Sequence, residues 1–151
     1  MIRDERAVST TLNYVLSLSL ATLLITGLLV AGGNFVKDQR EQTIRTELRV
    51  VGQQAVSSVA AADRLAQTAG MNGDVVEITQ SLPDRVTGMR YSINVNDGSD
   101  PYLILSTNQP DISVRVDIVP LANPLVTSSI QGGKIRVVYD VANDELEVEH
   151  V

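Results

Sequence analysis

Cysteine is missing from this chain, which excludes a disulfide framework, a thiolate metal site and a thiol nucleophile. Histidine occurs once, at His150, so neither a histidine-based metal cluster nor a catalytic triad can be assembled. Glycine-rich phosphate loops are also missing, and no enzyme activity, cofactor or metal is expected. Lysine is scarce: Lys37 and Lys134 stand against ten arginines. With 18 acidic against 12 basic side chains the net charge is −6, and long-range attraction to nucleic acid or to anionic headgroups is opposed. Such a surface fits high salt, where repulsion between carboxylates is screened within a few Å.

Charge is missing altogether from residues 7–36, about thirty residues behind the polar start Met-Ile-Arg-Asp-Glu-Arg. A bilayer-crossing helix needs about 20 apolar residues, so this run over-satisfies the requirement. Its polar members are nearly all hydroxylic. Ser9, Ser17, Ser19, Thr22 and Thr26 can each bond back to a carbonyl one turn earlier, which makes them tolerable in hydrocarbon. Gly32 and Gly33, followed by Asn34, form the weakest turn, because each helical glycine costs about 1 kcal/mol against alanine. A kink or a locally melted turn is expected there.

Beyond Lys37 the pattern becomes amphipathic. Ile44, Leu48, Val51, Ala55, Val59, Ala62 and Leu65 step by threes and fours and form one helix-packing stripe. The charges between them, including Glu47 and Asp63, read as a solvated face. The stripe grows rich in small residues toward its end, which suits close approach of another element. Gly70 reads as the helix stop.

After Asn72-Gly73 the period falls to two. In residues 111–119, Ile112, Val114, Val116 and Ile118 alternate with Ser113, Arg115 and Asp117. Further strands are expected at 75–78, 91–95, 102–106, 134–141 and 145–151. Gln131-Gly132-Gly133 and Ala142-Asn143-Asp144 read as hairpin turns. Residues 94–100 have the oxygen-rich look of a calcium loop but lack the distal carboxylate of an EF-hand, so a polar hairpin turn is the better reading. Glu145, Glu147 and Glu149 share one strand face; they read as a solvated edge whose charges oppose aggregation, with cation binding or pairing with a basic neighbour as the alternatives.

The expected fold is therefore α+β: a long N-terminal helix, apolar and then amphipathic, followed by a small antiparallel β domain. The segments are a leader at 1–7, a membrane or core helix at 8–36, its amphipathic continuation at 37–70 and a β domain at 71–151. A domain of roughly eighty residues buries only about 60–65% of its unfolded surface. It must lean on the helix stripe, on neighbouring copies, or on both.

Asp-Glu-Arg-Ala-Val-Ser running into an uninterrupted apolar helix resembles an archaeal type IV prepilin, the haloarchaeal kind in particular. The Asp-Gln-Arg-Glu-Gln stretch and the β-rich tail are similar to those of haloarchaeal pilin-like proteins. That resemblance implies a prepilin peptidase that cuts between Ala7 and Val8, and a mature helix that packs against other pilin-like subunits in a filament. It also implies a single-pass membrane precursor with the β domain outside the cytoplasm. Ala7 stands where the family often has glycine. Thr10-Thr11-Leu12-Asn13 replaces the start of the adhesive pilins, which fits a minor pilin or pseudopilin better, and with Leu12 at the fifth mature position the bacterial charge-pairing arrangement is absent. The residues themselves leave open an uncleaved single-pass anchor carrying an external binding domain, and a secretory cut near Ala31-Gly32-Gly33.

Overall fold

The computed structural model describes residues 3–69 and 76–151, with side chains from residue 11 onward. Gly70, Asn72-Gly73 and Val75, expected at the helix stop and the first strand, lie outside the described residues. One helix, α1 (Arg3–Ala69), is followed by seven strands: β1 (Val76–Ser81), β2 (Tyr91–Asn96), β3 (Tyr102–Asn108), β4 (Asp111–Asp117), β5 (Ser128–Gln131), β6 (Lys134–Asp140) and β7 (Glu145–His150). The chain is α+β. Its two compact units are Met1–Arg40 and Glu41–Val151, so the amphipathic helix from Glu41 shares a unit with the strands.

In the first unit the helix passes through Gly32 and Gly33 without a break, and the melted turn expected there is not formed. Neither glycine has another group near its missing side chain. A helix already formed on both sides propagates through the two glycines, because interrupting it there would require a second costly nucleation. Ser19, Thr22 and Thr26 each donate to the carbonyl four residues earlier, at 2.8 Å. Those three hydroxyls are thus satisfied within the helix itself.

In the second unit the strands form two antiparallel sheets, in the orders β1-β6-β7 and β4-β3-β2-β5. Both sheets and the helix stripe contribute to one apolar core. The alternation that marked each strand supplies the core side chains. Ile93, Val95, Leu103, Leu105, Ile112 and Val114 come from the larger sheet, and Ile135, Val137, Leu146 and Val148 from the smaller one. Burying each such side chain contributes about 2 kcal/mol.

Ile44, Leu48, Val51, Ala55, Val59 and Ala62 are all buried, and Leu65 corrects the expected stripe: it is 52% exposed, while Ala66 is 2% exposed. The reason is rotational. At about 100° per residue from Ile44, Leu65 falls roughly 60° to the side facing away from Val59 and Asp63, and Ala66 falls roughly 40° toward them.

The expected hairpin at Gln131-Gly132-Gly133 also needs correcting. β5 pairs with β2 and β6 pairs with β1 and β7, so these glycines carry the chain from one sheet to the other. Strand β5 itself was not expected. Its sequence, Ser-Ser-Ile-Gln, offers a single apolar side chain and no alternation to recognise. Residues 97–101 close the β2–β3 hairpin, and Ala142-Asn143-Asp144 closes β6–β7.

Candidate functional site

Two features distinguish the molecule: a helix docked into the β domain through polar clamps, and an apolar helical segment that its own chain leaves uncovered. The docking seam begins with Gly52. A Cβ built there would lie 2.7 Å from Val116 Cγ2 and 2.8 Å from Leu105 Cδ1, too close for either contact. The glycine lets the helix backbone settle on β3 and β4. Gly52→Ala is expected to destabilise the domain by about 1–2 kcal/mol, because overpacking outweighs the gain of about 1 kcal/mol in helix propensity. Denaturant unfolding of the full chain in detergent checks this, and a gain in stability would contradict the close approach.

Glu47 and Asp63, read from the sequence as part of a solvated face, are the clamps. Glu47 accepts hydrogen bonds from Thr87 N at 2.6 Å and from Thr87 Oγ1 at 2.9 Å. Thr87 sits at φ 45°, a left-handed conformation uncommon for a β-branched residue, so the carboxylate holds a strained turn in place. Asp63 is only 5% exposed. Its carboxylate accepts from Ala122 N at 3.1 Å, from Asn123 N and Nδ2 at 3.0 Å, and from Gln67 Nε2 at 2.9 Å. The two clamps are sixteen residues apart on one helix, about 24 Å along its axis. No sequence signal marks their partners, half of which are backbone amides of loops.

A third fixed point lies under β2. Tyr91 donates its hydroxyl hydrogen to Pro83 O at 2.7 Å, and its burial raises its pKa above the ordinary tyrosine value. Gly132 lies against the ring: a Cβ there would come within 2.3–2.7 Å of three ring carbons. Around them a cleft of about 470 Å³ is lined by Asp84, Arg85, Arg90, Tyr91, Gln131, Gly132 and His150. Among the described residues no group of three or more histidine, cysteine, aspartate or glutamate side chains is placed to hold a metal ion.

The uncovered feature is the apolar segment. Among the described residues α1 is the one helix long and apolar enough to cross a membrane, and its apolar window is not buried by the protein. Leu23, Leu28 and Phe35 are 69%, 75% and 68% exposed. Ala7 and Val8 fall within α1, and their side chains lie outside the described ones. Glu145, Glu147 and Glu149 follow alternate positions of β7. Glu149 bonds to Arg136 at 3.1 Å, and Arg136 reaches Glu77 at 3.5 Å.

No curated protein and no solved structure matches the chain. The chain belongs to a family of unknown function, DUF7266, whose sequence profile matches residues 3–150.

Proposed function

We propose that this member of the family is a structural subunit, of the minor pilin or pseudopilin type, in a type IV pilus-like surface filament or secretion-type assembly. The observation that carries the reading is the apolar face of residues 11–36. It is exposed on every side and continuous with a helix that is docked into a β domain. In a bilayer such a segment is an anchor. Against other copies it exchanges lipid contacts for close packing and polar contacts, which is what drives helix association in hydrocarbon. Ala21, Gly27, Gly32 and Gly33 offer small surfaces for that packing.

In this reading a prepilin peptidase cuts between Ala7 and Val8 and leaves the apolar helix on the mature chain. The β domain then lies outside the cytoplasm. The subunit performs no catalysis, and its partners are the membrane, the peptidase and other pilin-like subunits. The acidic balance keeps nucleic acid off the list of partners.

The test is the N-terminus of the mature protein isolated from its native membrane. A start at Val8 is expected, and Ala7→Trp is expected to abolish both that start and assembly, because a bulky side chain blocks a small protease subsite. A start at Met1 or Ile2 would replace the filament by a non-assembling single-pass protein with an external β-type binding domain. A start near Asn34 would mean a secreted protein and would sink the filament reading.

A further inference from the structure

The smaller sheet separates its charges by register. At one end Lys134 pairs with Ser81, and His150 pairs with the adjacent Ile135. The cleft at that end carries Arg85 and Arg90, with Asp84 the one acidic side chain in its lining. Arg85 donates only to Gly88 O, at 3.3 Å, and Arg90 and Lys134 make no ion pair among the described residues. At the other end the β6–β7 turn holds Asp140 opposite Glu145, with Glu147 next along the same face. Between the two ends Arg136 is shared by Glu77 and Glu149, which takes both of those carboxylates into ion pairs within the sheet.

The acidic turn is exposed and braced. Asp140 accepts from Ala142 N at 2.8 Å and from Asn143 Nδ2 at 2.7 Å, and Tyr139 donates to Asp144. Glu145 and Glu147 make no ion pair among the described residues. Lys134 and Asp140 thus sit about 20 Å apart at opposite ends of β6, too far to satisfy each other within one copy.

We propose that the acidic β6–β7 turn of one copy docks on the Arg85–Arg90 cleft of the next, head to tail. The inference rests on the filament reading, because copies anchored by the same apolar helix share one direction. A common direction rules out the antiparallel two-fold pair that could otherwise match the same charges. A contact between two different patches is heterologous and leaves both outer ends free, so it propagates instead of closing. The apolar helices hold the copies together, and the charged contact, acting at hydrogen-bond range, sets their register.

The missing cysteines make the test clean. Arg90→Cys, Glu145→Cys and the double variant of the full chain are oxidised in the native membrane and run on a non-reducing gel. The double variant is expected to give a ladder of multimers, and each single variant monomer alone. A double variant that stops at dimers, or an Arg90→Cys single variant that forms them, would establish a two-fold contact and overturn the proposal. Reversing the charge of the cleft with Arg85→Glu and Arg90→Glu is expected to lower the assembled fraction about tenfold, through like-charge repulsion. Adding Glu145→Arg and Glu147→Arg is expected to restore it, which a merely misfolded variant would not allow. If wild-type protein starts at Val8 and sediments as an assembly but neither the ladder nor the rescue is seen, this contact is wrong and the filament reading stands. If the wild type does not assemble at all, both fall.

Discussion

Gly132→Ala is expected to destabilise the β domain by about 3 kcal/mol, at the upper end of what overpacking a core costs. The Tyr91 ring cannot retreat. Its hydroxyl is tied to Pro83 O, its own strand is paired on both sides by β3 and β5, and the ring is buried. The new methyl would meet three ring carbons within 2.3–2.7 Å, so either the ring leaves its bond or the link between the two sheets moves. For a domain of this size the loss corresponds to a fall in Tm on the order of 12 °C. The diagnostic measurement is a double-mutant cycle. In a Tyr91→Ala background the methyl has room, and Gly132→Ala is expected to cost less than about 0.5 kcal/mol there. An equal cost in both backgrounds would mean that Gly132 is needed for its backbone conformation and not for the ring.

Asp63→Ala is expected to cost about 2–4 kcal/mol, because it leaves Ala122 N, Asn123 N and Asn123 Nδ2 without their acceptor. Asn123→Ala removes one donor and keeps the carboxylate bonded to the two backbone amides, so about 1 kcal/mol is expected from it. The order of the two variants is the test. Water can reach the amides if the loop opens, and hydrogen exchange at Ala122 and Asn123 should then speed up in Asp63→Ala while the amides of β6 stay protected. If the two variants cost the same, the carboxylate contributes no more than its bond to the asparagine side chain. Against a total stability on the order of 10 kcal/mol, either Asp63→Ala or Gly132→Ala is a large fraction of what holds the domain together.

The helix and most strands were legible because apolar side chains recur at the period of the element that buries them. Residues 111–118 alternate cleanly, and Ile44 to Ala62 step by threes and fours. Structure is hidden where the period is silent. Leu65 and Ala66 are neighbours on the margin of the stripe, and only the width of the buried face, which extends toward Gly52 and Asp63, chooses between them. A carboxylate at that margin looks the same whether water or a loop amide is its partner, so Glu47 and Asp63 read as solvent-facing charges. Alternation also says that one face of a strand is buried without saying which strand lies beside it. That is why the division into two sheets, and the passage of the chain between them at Gly132-Gly133, were out of reach.

The spacing of the two clamps has a mechanical consequence. The seam from Ile44 to Ala66 lies along the helix axis, with Glu47–Thr87 near one end and Asp63–Asn123 near the other. A tensile load drawn along this stretch of helix would act on both clamps in shear at once, and on the apolar seam between them. Bonds loaded in parallel share the force, whereas bonds peeled from one end fail in sequence. The helix is thus fastened to its domain as a riveted strut, strongest along its own axis.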